Sequence, residues 1–359
     1  MKFDKILIVR LSAIGDIINT LPALTVLRTN FPKSFIAWVV EDKAKDILLN
    51  HPALDKVIVF ERKKWRPDIR SFRSWLHSAR TFKEARNFIR LLKQEHFDIA
   101  LDFQGNFKSG LLAYLSGAKI RVGFDKKISK EGNHLFINHK IKLASSPLNR
   151  VAKNLYLLES LGLNTKNHSP VVAIPPADHN YINNFLKSRN LLDKKLIILH
   201  PGTSPFGVYK RWPLKYYTEL ANKLTGFNEN YGVVVTWGPG ERGLAEKIIA
   251  ETTPGQAELS CPMNLTQLGA LLKKATLFVG SDSAPLHLAS ALKIPLVGLY
   301  GPKDPLIYGP YEHPHSIVIT KNLPCQPCRK RTCQQPDCMN LITPEEVLRS
   351  VKKLLLNTD

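Results

Sequence analysis

No stretch of this chain approaches the roughly 18 uninterrupted apolar residues of a membrane-spanning helix. The apolar run near the start is cut at Val9 by Arg10, far short of a signal-peptide core. Both absences predict a cytoplasmic protein whose contact with a membrane is peripheral. Acidic residues are also scarce, with 30 Asp and Glu against 51 Lys and Arg for a net charge of +21. Such an excess repels itself unless an anionic partner meets it. Cysteine is sparse too: Cys261 stands alone, and Cys325, Cys328, Cys333 and Cys338 form a cluster. In a reducing compartment such a cluster is more often a metal knuckle than a pair of disulfides. The C-x2-C-x4-C-x4-C spacing can close a four-thiolate structural zinc site, although a loop of reduced thiols or disulfides fits it equally.

At 359 residues and 44% hydrophobic, the chain exceeds one typical core, so two domains are expected. Apolar runs bounded by turn residues alternate with stretches of helical period from end to end, the pattern of parallel sheets covered by helices. Strands are expected at 5–10, 35–40, 56–60, 99–103 and 120–123, with helices at 16–30, 82–93 and 148–161. On the first helix Ile17, Leu21, Leu24 and Leu27 share a face; on the second Phe88, Leu91 and Leu92 point inward. Pro170, Pro175 and Pro176 mark residues 164–176 as a linker. A second alternation follows, with strands at 195–200, 232–237, 276–280 and 295–300 and helices near 214–225, 241–251, 265–273 and 285–292. The fold class is therefore α/β, two doubly wound Rossmann-like domains. Their expected bounds are 1–170 and 171–340, and a last helix within 341–359 opens with Thr343 and Glu346 as a capping box around Pro344.

In open parallel sheets ligands sit at the carboxyl ends of the strands. Four segments fall there. Arg10-Leu-Ser-Ala-Ile-Gly-Asp16 ends the first strand, and Asp16 is either a helix N-cap or a general base. His200-Pro-Gly-Thr203 and Lys210-Arg-Trp-Pro213 combine a glycine that admits a ligand, a hydroxyl and a compact cation suited to phosphate; an ordinary surface loop is the alternative. Val279-Gly-Ser-Asp-Ser-Ala-Pro-Leu-His287 turns from strand into a helix whose free N–H groups can bind phosphate. In that segment Asp282 and Ser283 can also act as caps, and His287 can also be a core histidine. Trp237-Gly-Pro-Gly-Glu-Arg-Gly243 matches G-x-G-x-x-G literally, but Pro239 stiffens the turn and no acid stands clearly about 20 residues on. We read it as a tight turn that lets Glu241 reach ribose hydroxyls.

Positive charge is concentrated: residues 61–154 hold 21 Lys and Arg against 8 Asp and Glu, 13 of the net +21. At its start Arg62, Lys63, Lys64, Arg66, Arg70 and Arg73 interleave with Trp65, Phe72 and Trp75. That pattern suits nucleic acid or an acidic lipid headgroup, where each basic residue adds about 1 kcal/mol of attraction.

In order along the chain, Ser12-Ala-Ile-Gly-Asp16 with Thr20-Leu-Pro-Ala-Leu24, Asp102-Phe-Gln-Gly105 with Lys108-Ser109, His200-Pro-Gly-Thr203 with Lys210-Arg-Trp-Pro213, and Asp282-Ser-Ala with His287 resemble the lipopolysaccharide heptosyltransferases. The run around Trp65 looks most like the heptosyltransferase I branch; the II branch is the near alternative. The resemblance implies glycosyltransferase B architecture, two Rossmann-like domains around an interdomain cleft with the final helix crossing back. It implies an inverting transfer of heptose from ADP-L-glycero-D-manno-heptose to the acidic Kdo sugars of lipid A on the cytoplasmic face of the inner membrane. Asp16 is then the base, and Thr203, Ser204, Lys210, Glu241, Asp282, Ser283, Ala284 and His287 bind the donor. Arg62, Lys63, Lys64, Arg66, Gln104, Lys108 and Arg121 bind the acceptor. With no Asp-x-Asp motif, no metal is expected in catalysis; Lys210 and the helix opening at Ser283 would hold the leaving-group charge. Two departures stand out: residues 204–209 lengthen the loop before Lys210, and Ser283-Ala284 replaces a common Thr-Gly pair. Two other classes compete. An NAD-dependent oxidoreductase would rest on Gly238, Gly240 and Gly243, and a nucleic-acid-binding protein on the charge, but neither accounts for Asp16 or His287.

Overall fold

The computed structural model describes residues 2–61, 74–143, 148–226, 230–328, 330 and 332–356, without the side chains of 74–82 and 225. Arg62, Lys63, Lys64 and Arg66, expected to hold the acceptor, lie outside the described residues. The chain forms two compact units, Met1–Ser146 with Val151–Ala173, and Pro147–Arg150 with Ile174–Asp359.

Among the described residues, the first unit holds a parallel sheet ordered β3-β2-β1-β4-β5-β6. Its strands are β1 (Lys5–Val9), β2 (Phe35–Glu41), β3 (Lys56–Phe60), β4 (Ile99–Asp102), β5 (Ile120–Phe124) and β6 (His139–Ile141). The second holds β7 (Lys195–His200), β8 (Tyr231–Val235), β9 (Glu258–Leu259), β10 (Ala275–Ser281), β11 (Leu296–Tyr300) and β12 (Ser316–Thr320), ordered β12-β11-β10-β7-β8-β9. Both orders are the Rossmann order. In each unit the direction of winding reverses between the first and fourth strands, β1/β4 and β7/β10, which opens a crevice at their carboxyl ends.

The central strands are buried on both faces, as their unbroken apolar runs require. The strands not expected from the sequence, β6, β9 and β12, lie at sheet edges, and two of them have only two or three residues. The helix expected over 16–30 is two helices, Ile14–Ile18 and Leu21–Asn30. Pro22, which has no N–H to donate, sits in the first turn of the second, where none is needed. Ile17, Leu21, Leu24 and Leu27 are all buried as expected. In the helix Ser74–Gln94, Phe88 and Leu92 pack on the core, but Leu91 is 61% exposed. Residues 88 and 92 share a face at spacing i, i+4, and Leu91 falls off it.

The final helix, Pro344–Leu356, belongs to the second unit. Its stripe Val347, Val351, Leu354 and Leu355 is buried in the second unit's own core with Trp212, Tyr217 and Met339. The capping box is half formed. Thr343 Oγ1 accepts from the Glu346 N–H at 3.3 Å, while the Glu346 carboxylate pairs with Lys321 Nζ at 2.6 Å.

Candidate active site

In the first unit the chain leaves β1 at the switch point through Arg10, a nearly buried residue. One end of its guanidinium donates to the Phe103 carbonyl just past β4, and Nη2 pairs with Asp16 Oδ2 at 2.7 Å. Asp16 does not cap its helix. The N-cap position is Ala13 and has no side-chain hydrogen bond, so Asp16 falls in the first helical turn with its side chain 31% exposed. A carboxylate fixed by a buried cation yet open to solvent suits a base. Gln104, expected to touch the acceptor, turns its Oε1 to the Leu11 and Ser12 N–H groups at 2.7 and 3.2 Å. Lys108 reaches over Phe60 toward the buried Glu41, whose carboxylate also pairs with Lys43 at 3.2 Å.

In the second unit, β7 and β10 bring two clusters to their carboxyl ends. Lys210 Nζ donates to the Asp282 carbonyl at 2.6 Å and to Asp282 Oδ2 at 2.9 Å, and His287 Nε2 lies 3.3 Å from Oδ1. Burial by itself would raise the Asp282 pKa, but the His287 hydrogen bond and the Lys210 charge outweigh it and hold the carboxyl well below the usual range. Beside them the helix Ala284–Ala291 opens at Ser283, which makes no side-chain cap, so the helix's first amides are not occupied by that hydroxyl.

The second cluster is organised by Arg211, which the sequence reading quoted only within its motif. Its Nε and Nη2 donate to Thr203 Oγ1 and the Thr203 carbonyl at 3.2 and 3.0 Å, and Nη2 pairs with Glu241 Oε1 at 2.9 Å. Burial pushes the Glu241 pKa up, against the Arg211 charge and backbone N–H bonds from Thr203 and Gly238. Glycine is required around it: a Cβ on Gly202 would stand 2.2 Å from Glu241 Oε2, and one on Gly238 2.9 Å. A buried carboxylate beside an arginine, reached through two glycine turns, was the signal for Arg211. Ser204 is exposed and serves through its carbonyl, which accepts from the Gly207 N–H at 2.7 Å.

His200, at the end of β7, anchors this loop from below. Its Nδ1 meets Thr236 Oγ1 at 3.0 Å and its carbonyl accepts from Tyr217 Oη at 3.0 Å. Burial first, and then the Arg211 charge, lower its pKa to about 4. An unfolded histidine takes up a proton below about pH 6.5, whereas the folded one stays neutral until about pH 4. Stability from this group is therefore present above pH 6.5 and lost as pH falls toward 4, by up to about 3 kcal/mol. Urea denaturation at pH 7.5 and 5 should show the loss, and His200→Gln should flatten that slope; an equal slope in the variant would refute the assignment.

The model of glycosyltransferase family 9 (heptosyltransferase) matches residues 85–339. The chain belongs to glycosyltransferase family 9. It is similar to lipopolysaccharide heptosyltransferase 1 of Pseudomonas aeruginosa, at 28% identity covering 98% of each chain. Lipooligosaccharide heptosyltransferase 2 of Campylobacter jejuni is 24% identical, covering 95% of this chain and 96% of its own. Among solved structures, the Escherichia coli ADP-heptose lipopolysaccharide heptosyltransferase II superposes with a TM-score of 0.75 at 23% identity, covering 99% of each chain. The protein is thus a glycosyltransferase, a heptosyltransferase of the lipopolysaccharide core.

Arg121 stands at the second position of β5, toward the edge opposite Asp16, and its guanidinium is taken up by the Phe136 and Ala118 carbonyls at 2.8 and 2.9 Å and by the Tyr114 ring. It staples the first unit. The G-x-G-x-x-G segment turns tightly at Glu241, whose N–H donates to the Gly238 carbonyl at 2.9 Å. The four clustered thiols differ in exposure. Cys338 is buried, Cys325 and Cys333 are exposed, and Cys333 Sγ donates to the Gln335 carbonyl at 3.2 Å. Among the described residues no group of three or more His, Cys, Asp or Glu is arranged to hold a metal ion. Burial first, then the neighbouring thiols, raise the Cys338 pKa.

Proposed function

We propose that this family 9 enzyme transfers heptose, with inversion, from ADP-L-glycero-D-manno-heptose to the Kdo region of the lipopolysaccharide inner core. The observation that carries the donor reading is the β7/β10 cluster, where Lys210, braced by Asp282, stands beside a helix opening, the usual setting for a diphosphate. Thr203 and Glu241, clamped by Arg211, supply the adjacent hydroxyl and carboxylate for the nucleoside. In the reaction Asp16 takes the proton of an acceptor hydroxyl, the oxygen forms a bond to the anomeric carbon, and the bond to ADP breaks on the opposite face. Charge growing on the leaving diphosphate is met by Lys210 and the amides at Ser283–Ala284.

The acceptor reading rests on charge. Kdo carboxylates and lipid A phosphates are fixed anions, and Arg62, Lys63, Lys64, Arg66 and Lys108 lie in the N-terminal half of the chain, which also carries Asp16. No helix among the described residues is long and apolar enough to cross a membrane. We place the enzyme at the cytoplasmic face of the inner membrane because that acceptor is lipid-borne. Relatives named as heptosyltransferases 1 and 2 have similar identities, and the basic run around Trp65 favours the first.

A coupled ADP-release assay with ADP-heptose and Kdo-bearing lipid A tests the whole reading; no release with this pair would refute it. Activity is expected to survive EDTA, since a lysine and backbone amides serve the phosphates. Loss in EDTA with recovery on adding Mg²⁺ or Mn²⁺ would overturn the metal-free mechanism.

A further inference from the structure

We propose that Gln104 is a positioning residue for Asp16: it holds the loop that carries the base and does not grip the acceptor. Its side-chain oxygen accepts from two successive N–H groups, Leu11 at 2.7 Å and Ser12 at 3.2 Å, on the stretch between β1 and the helix of Asp16. Both lone pairs of that oxygen are therefore spent on backbone.

Gln104 is itself held from below. Asp102, at the end of β4 and fully buried, accepts through Oδ1 from the Gln104 and Gly105 N–H groups at 2.9 and 3.0 Å. Its Oδ2 accepts from Ser109 Oγ at 2.8 Å and Asn133 Nδ2 at 2.6 Å. Asn133 reaches in only because position 110 is glycine, where a Cβ would stand 2.5 Å from Nδ2. Arg10 ties the same two loops from the other side, bonding the Phe103 carbonyl and Asp16. With both oxygens of the buried Asp102 carboxylate engaged by four donors, the loop that starts at Gln104 is stiffly supported. Here that support ends on the segment leading to the one carboxylate assigned the proton.

The inference rests on the reading of Asp16 as base, and the test separates the two. Gln104→Met fills the space but accepts no hydrogen bond, whereas Gln104→Glu still offers an oxygen to both amides. With ADP-heptose and Kdo-bearing lipid A, the Met variant should lose about 30- to 100-fold in kcat, the scale of a catalytic group displaced by about 1 Å. Both KM values should stay within about threefold, and the Glu variant should recover most of the loss. Combined with Asp16→Asn, the Met change should lower kcat no further, because both act through one group. A raised acceptor KM with unchanged kcat would return Gln104 to the acceptor, and a loss that multiplies that of Asp16→Asn would reduce it to a general structural role. Either result overturns the inference. If Asp16→Asn alone turns over normally, the base reading has failed first.

Discussion

Asp16→Asn is expected to lower kcat by at least about 100-fold while leaving the ADP-heptose dissociation constant near its original value. The asparagine carbonyl can still accept the hydrogen bond that Arg10 now gives the carboxylate, so the loop keeps its anchor. What disappears is the capacity to take a proton, and that acts on the chemical step alone. The proposed donor ligands follow β7, β8 and β10 in the second unit and are untouched. Stopped turnover and equilibrium binding of the donor measure the two halves separately. Near-normal turnover would leave Asp16 with no role beyond its ion pair.

Lys210→Met should cost about 100- to 1,000-fold in kcat, comparable to removing one donor that faces a developing negative charge. Donor binding should weaken as well, because the ammonium meets diphosphate in the ground state too. The substitution also strands Asp282, a nearly buried carboxylate whose depressed pKa depends partly on this lysine. Some loss of stability should therefore accompany the kinetic loss, and denaturant midpoints taken beside the kinetics separate them. Lys210→Arg should restore only part of the rate. A guanidinium is a planar fork, and the space between the Asp282 carbonyl and carboxylate holds a compact ammonium. An unchanged kcat in the Met variant would remove the proposed leaving-group stabilisation.

The β7 and β10 segments were legible because each carries a turn signal at the end of an apolar run, and strands buried on both faces announce themselves as such. Lys210 lies 72 residues before Asp282 and His287 five after it, and the parallel sheet brings both to the Asp282 carboxylate. Arg211 was harder to assign. Nothing in a Lys-Arg-Trp-Pro string says which of two neighbouring cations faces the ligand and which turns back to a buried glutamate. Arg121 was equally opaque: a basic residue in a basic region gives no sign of the two carbonyls that take up its guanidinium.

The sequence by itself determined the fold class, the two successive alternations, the family, and the carboxyl-edge segments from which a site is made. Those depend on local period, turn residues and motif order, all of which are written in one dimension. Only the tertiary structure decided what each polar side chain does there. Gln104 turns its side-chain oxygen to backbone, Arg10 holds Asp16, and the last helix spends its apolar stripe on its own unit's core. The physical reason is that a hydrogen bond or an ion pair joins groups about 90 or 30 residues apart, as in Gln104 with Leu11 and Arg211 with Glu241. No local pattern encodes which of several chemically able partners the folded chain will bring within 3 Å.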